Sequence, residues 1–198
     1  MPNYIVFWVP TGFSIDDASR TDFYSQQAFL SAVRRMKELM REGKTVWFSF
    51  PHSVVRDPSR KHMLFDVMMR DALLFAGVDN NHIVIQRKDT TGSPTDGLAL
   101  ARLAQMYPDF NIEVFTVSPQ MGAYLQVMYL AVARYIVGFP IAMEVKSVDI
   151  GSSFLHRQAY RAMRVATTIA AWHESLFRLW YAFLNRMYEK RKHGFQQV

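Results

Sequence analysis

Short apolar runs alternating with stretches of helical periodicity set the tightest limit on how this chain can fold. Residues 4–9 (YIVFWV), 44–50 (KTVWFSF), 82–87 (HIVIQR) and 112–117 (IEVFTV) have strand length and are rich in β-branched and aromatic residues. Residues 141–145, behind Pro140, read as a fifth strand. The runs are apolar rather than strictly alternating, as expected of strands buried on both faces of a parallel sheet. Between them, residues 23–41 carry Phe29, Val33, Met36 and Met40 at three- and four-residue spacing, with Gly43 placed as a C-cap. Residues 61–76 build a second helical face from Leu64, Val67, Met68, Asp71, Leu74 and Phe75, ended by Gly77. Further helices are expected over 95–107, with Thr95 as N-cap, and over 120–137. This alternation predicts βαβ units with right-handed crossovers. The fold class expected is α/β, a three-layer doubly wound sheet of about five mainly parallel strands, plus a long C-terminal helical region.

Charge divides the chain. It carries 23 Lys+Arg against 17 Asp+Glu, a net +6 over 198 residues. Residues 151–198 hold Arg157, Arg161, Arg164, Arg178, Arg186, Lys190, Arg191 and Lys192 against Glu174 and Glu189, which is also +6. Residues 1–150 are therefore charge-balanced and read as a Rossmann-like domain, followed by a basic amphipathic helical tail. In the tail, apolar or small residues fall at 155, 159, 162, 166, 169, 173, 176, 180, 183 and 187, a heptad seam. Met163, Ala170, Phe177 and Leu184 widen that seam to a broad face. One continuous helix would be on the order of 55 Å long. Either the helix breaks and covers the sheet, or it projects and its seam meets a partner, a second copy or a membrane surface.

Composition closes several classes. With no cysteine, disulfides, thiolate nucleophiles and Cys-ligated metals are excluded. No basic n-region precedes the first apolar run, and the most hydrophobic stretch, 124–145, is interrupted by Gln126, Arg134, Gly138 and Pro140. The expectation is a cytoplasmic protein with no membrane span. Neither a Walker A sequence nor a GxSxG elbow is present, and no metal-ligand spacing occurs. No cofactor is indicated.

In an open parallel sheet, ligands bind beyond the carboxyl ends of the strands, near the point where strand order reverses. Candidate ligand residues are therefore Thr11, Gly12 and Ser14 after the first strand and Ser49 at the end of the second. Thr91, Thr95 and Asp96 follow the third, and Ser118 and Gln120 the fourth. Small hydroxyl residues at helix starts leave backbone N–H groups open to an anion. His52 and Asp89 are the candidates for acid–base work. Each has a plainer reading: His52 as a surface histidine before a basic loop, Asp96 as a charge stabilising a helix start, the hydroxyl residues as turn formers and caps.

The order of elements over 63–133 resembles the YdcF-like proteins of the SanA/ElyC type. The resemblance rests on Ala76-Gly77-Val78 ending a helix and on the run from His82 to Gln86 and Arg87. It rests also on Thr95-Asp96-Gly97 opening a helix and on Phe115-Thr116-Val117-Ser118 closing a strand. Gly12, and Arg20 or Arg34, stand where that family has its first glycine and arginine. Gln86 stands in place of the family glutamate, Val117-Ser118 in place of Thr-Ser, and Gln120 or Met121 in place of its histidine. The resemblance implies a nucleotide- or phosphate-like ligand, with the catalytic set degenerate.

Two functions follow as alternatives. One is a small-molecule binding protein of this type, including a vestigial hydrolase or group-transfer enzyme. The other is an interaction protein that uses Arg186, Lys190, Arg191 and Lys192 to meet nucleic acid or a protein. Homo-oligomerisation through 155–187 is compatible with both.

Overall fold

The computed structural model describes residues 3–9, 23–52, 54–55, 63–89, 92–148 and 154–194. Five strands form one sheet: β1 (Asn3–Trp8), β2 (Val46–His52), β5 (Ile83–Asp89), β6 (Phe110–Thr116) and β7 (Met143–Ser147). Their spatial order is β5-β2-β1-β6-β7 and every pairing is parallel. This is the doubly wound α/β arrangement expected from the sequence. A separate two-residue pair, β3 (Val54–Val55) with β4 (Met63–Leu64), is antiparallel and lies in the segment expected to be a loop and a helix start. The helix there is accordingly shorter, α2 (Phe65–Phe75).

Burial explains the strand sequences. Ile5, Val6, Phe7 and Trp8 are all fully buried, so consecutive residues of β1 pack on opposite faces of the sheet. On one face lies α1 (Phe23–Arg41), where Phe29 meets Trp8 and Phe48 edge-on at ring distances of 5.3 and 5.9 Å. On the other lie α3 (Ser93–Met106) and α4 (Pro119–Val132). Tyr107, which caps α3, packs edge-on against Trp47 at 4.1 Å. Gln126 of α4 donates to the Met143 carbonyl of β7 at 3.3 Å. Gly43 and Gly77 end α1 and α2 with φ of 76° and 79°, the left-handed geometry that the two glycines announce.

α4 passes into a single π-helical turn (Ala133–Val137) that ends at Gly138. The tail is two helices, α5 (Phe154–Ala170) and α6 (Glu174–Gly194). Trp180 Nε1 donates to Thr167 Oγ1 at 3.0 Å. Thirteen residues apart, these groups would be about 20 Å apart along one straight helix, so α6 folds back on α5. The Tyr135 hydroxyl, donating to the Ala171 carbonyl at 2.9 Å, ties the corner to the π turn. The pair forms an outer layer over α3 and α4, with Ala170, Phe177 and Leu184 in the main core. The row that is buried is the one expected only to widen the seam. The seam positions Leu155, Ile169, Leu176 and Phe183 are more than half exposed.

Candidate functional site at the carboxyl rim

The strand order places the reversal point between β1 and β6, because the chain leaves β1 toward β2 on one side and arrives at β6 on the other. A crevice at such a point is flanked by crossovers that run to opposite faces. Val9 N–H donates to the Phe115 carbonyl at 2.9 Å, so the pairing of β1 with β6 extends to their carboxyl ends. The first candidates beyond β1, Thr11, Gly12 and Ser14, lie outside the described residues, as does Thr91 after β5.

On the β6 side the rim is well defined. Ser118 caps α4: its backbone is extended, its Oγ accepts from Met121 N–H at 3.2 Å, and it is 1% exposed. That hydroxyl serves the helix. Gln120, half-buried in the first turn, is the polar side chain that α4 adds to the rim. Ser49 is also inward, fully buried, with its Oγ donating to the Val84 carbonyl at 3.0 Å across β2 and β5. His52 and Asp89 end adjacent strands and are register partners. Asp89, expected in a loop, is the last residue of β5. The backbone thus brings the two acid–base candidates side by side at the rim.

The start of α3 is built differently from the expectation. Gly92, not Thr95, is the N-cap, and Thr95 is the third helical residue. Thr95 Oγ1 accepts from Gly92 N–H at 3.2 Å and donates to the Gly92 carbonyl at 2.8 Å, closing the turn. Ser93 and Asp96 are buried. A Cβ on Gly92 would sit 2.7 Å from the ring of Tyr188, so α6 lies directly against this helix start. Around Asp96 gather Tyr124 and Tyr129 of α4, with Tyr160 of α5 6.0 Å from Tyr124. Burial first, then the neighbouring phenols and Asp96, pushes Tyr124 and Tyr129 well above the ordinary tyrosine pKa. Both stay neutral; Ser93 lies beside the Tyr124 hydroxyl and partly offsets the rise there, whereas the Tyr129 hydroxyl has no hydrogen-bond partner among the described residues.

A second polar cluster escaped the sequence reading. Glu113 in β6 is 4% exposed. Arg35 of α1 grips both its oxygens at 3.1 Å, and Lys146 of β7 reaches it at 2.8 Å. Beside them a groove of about 410 Å³ is lined by Tyr4, Asn111, Met143 and Glu144. Burial raises the Glu113 pKa, and the hydrogen bonds from Arg35 and Lys146 outweigh it, holding the carboxyl below the usual glutamate range. A carboxylate held ionised between two cations neither gives nor takes a proton near neutrality. Glu38 at 3.7 Å from Arg35 and Glu144 at 3.5 Å from Lys146 complete the neutralisation of those cations. The cluster therefore ties α1 to the edge of the sheet and offers little to an anion. A charge in the middle of an otherwise apolar strand, residues 112–117, was the available signal that partners must exist.

Of the basic tail residues, Arg186 is exposed on α6, and Lys190, Arg191 and Lys192 fall in its last turns with side chains outside the described set. Among the described residues no group of three His, Asp or Glu is arranged to hold a metal, and no helix is long and apolar enough to cross a membrane. Comparison of the chain with protein-family models, curated proteins and solved structures finds no match.

Proposed function

We propose that the protein binds a small molecule bearing a phosphate or nucleotide-like group at the rim between β1 and β6. The observation that carries this reading is the strand order β5-β2-β1-β6-β7 with all pairings parallel. That order sets the carboxyl ends of β1 and β6, the His52–Asp89 pair and the first turn of α4 along one edge. Ser49, Thr95 and Ser118 spend their hydroxyls inside the fold, so recognition falls to backbone N–H groups, to Gln120 and to the segment after β1. The ligand class agrees with the resemblance to YdcF-like proteins, of which this chain would be a degenerate relative. Hydrolysis or group transfer, with His52 and Asp89 as acid and base, is the catalytic extension of the same reading.

Thermal unfolding with nucleotides, dinucleotides and S-adenosylmethionine at millimolar concentration tests it. A ligand at a hundred times its Kd adds about 2.7 kcal/mol to stability. Gln120→Glu, which sets a negative charge at the α4 start, should abolish the shift. No shift from any of these ligands defeats the reading. For the catalytic extension, turnover of phosphoesters should vanish in His52→Ala and Asp89→Asn while ligand binding persists.

A further inference from the structure

We propose that the outer face of the α5–α6 hairpin docks on an anionic lipid bilayer, with its apolar side chains entering the headgroup boundary. Eight of the twelve large apolar side chains exposed among the described residues lie between 154 and 183. Within the hairpin the most exposed are Trp172 at 79%, Leu155 at 78%, Leu179 at 69% and Phe154 at 64%. Trp172 stands at the corner between the helices, where the hairpin turns.

The exposure is ordered. Phe154, Leu155, Val165 and Ile169 fall on one side of α5, and Leu176, Leu179 and Phe183 fall on one side of α6. On their opposite sides Ala170 of α5 and Phe177 and Leu184 of α6 are buried, with Met163 partly so. The body therefore covers one apolar side of each helix, and the other apolar residues face outward. An apolar surface of this extent marks an interaction site.

Charge selects the occupant. The hairpin carries eight basic and two acidic residues, and one of the acids, Glu174, is taken by Arg178 at 2.9 Å. Arg157, Arg161 and Arg164 follow one another at helical spacing along α5, beside the exposed apolar rows. A second copy would bring a like charge of +6 onto this face. A bilayer with anionic headgroups offers the opposite charge together with an apolar interior, the surface to which helices with Trp, Leu and Phe flanked by Arg and Lys bind. The long arginine stems reach back to the headgroups while the apolar rows enter.

Flotation of the full chain with vesicles tests the proposal. Vesicles of phosphatidylcholine containing about one-third phosphatidylglycerol should carry the protein, and phosphatidylcholine alone should not. Raising the salt should weaken binding. The combined Leu155→Gln, Trp172→Gln and Leu179→Gln variant should lose about tenfold or more in partitioning. Arg161→Glu with Arg164→Glu should lose at least about tenfold. Circular dichroism should show every variant folded, because these side chains are exposed. Brominated lipid should quench tryptophan emission, and Trp172→Tyr should remove that quenching while binding persists. Failure to float with anionic vesicles overturns the proposal. So does flotation that the apolar variant leaves unchanged. Light scattering that shows a dimer disrupted by the apolar variant assigns the face to a second copy. Duplex DNA binding with the same dependence on Trp172 and Leu179 assigns it to nucleic acid.

Discussion

The sheet body and the α5–α6 hairpin use their apolar residues differently. In β1, four consecutive side chains are fully buried, one face against α1 and the other against α3 and α4. In the hairpin a comparably apolar surface is half covered: Phe177 and Leu184 are buried completely while Leu179 and Phe183, two or one positions away, are more than half exposed. Charges divide the same way. In the body the buried Glu113 is matched by Arg35 and Lys146, whereas the hairpin leaves an excess of positive charge near its surface. The two regions share one core through Ala170, Phe177 and Leu184, and what the hairpin leaves uncovered lies on its outer side.

The sharpest break would come at the hairpin's buried row. Phe177→Ala should cost about 3–5 kcal/mol, since it empties a site enclosed by Tyr135 and Tyr181. Urea denaturation measures it. A loss under 1 kcal/mol would mean that the hairpin is only loosely attached to the body. If instead the hairpin unfolds before the sheet, two transitions will appear where a single cooperative unit gives one.

Which row would be buried was not legible in the sequence. Periodicity reports how wide an apolar face is, and rows 163/170/177/184 and 155/162/169/176/183 satisfy the same seven-residue spacing. Only packing against α4 and the π turn decides between them. The strands were legible because burial on both faces demands continuous apolar runs, and α1 and α2 ended where Gly43 and Gly77 supply left-handed backbone. Strand order was not, because residues 4–9 carry no mark of their neighbours. The Arg35–Glu113 pair spans 78 residues, beyond any local pattern. At the rim, the sequence located Ser49, Thr95 and Ser118 at strand and helix ends but not the internal hydrogen bonds that occupy them.

The body's ion cluster gives the next effect. Arg35→Met should destabilise by about 2 kcal/mol at neutral pH, because Glu113 keeps only Lys146. The native carboxyl has a depressed pKa, so its stabilisation is present above the unfolded glutamate value of roughly 4.3 and is lost as pH falls through the lower, native value. Melting followed from neutral pH into acid should show that loss, and Glu113→Gln should flatten it. The tyrosines act at the other end of the scale. Tyr124 and Tyr129 have raised pKa values, so their contribution is complete below the ordinary value of about 10 and is lost as pH rises toward the native ones. Alkaline titration should show these phenols ionising with unfolding rather than before it.

Contact between the two regions is sharpened by Gly92. Gly92→Ala pushes a methyl to 2.7 Å from the Tyr188 ring and should cost about 1–2 kcal/mol. The cost should shrink when Tyr188→Ala is added, because the cycle then removes the clash itself. Equal costs with and without Tyr188 would mean that α6 does not rest on the α3 start.

The smallest effect is also the most discriminating. Leu179→Gln should change stability by no more than about 0.5 kcal/mol, since that side chain is 69% exposed and contributes little to the fold. Thermal melts of the purified chain read it directly. A core leucine replaced by glutamine would lose several times more, so a large loss would place Leu179 inside the hairpin's own packing. A neutral result leaves its apolar surface without a role in holding the monomer together, and the function of that row must then be sought in what the outer face touches.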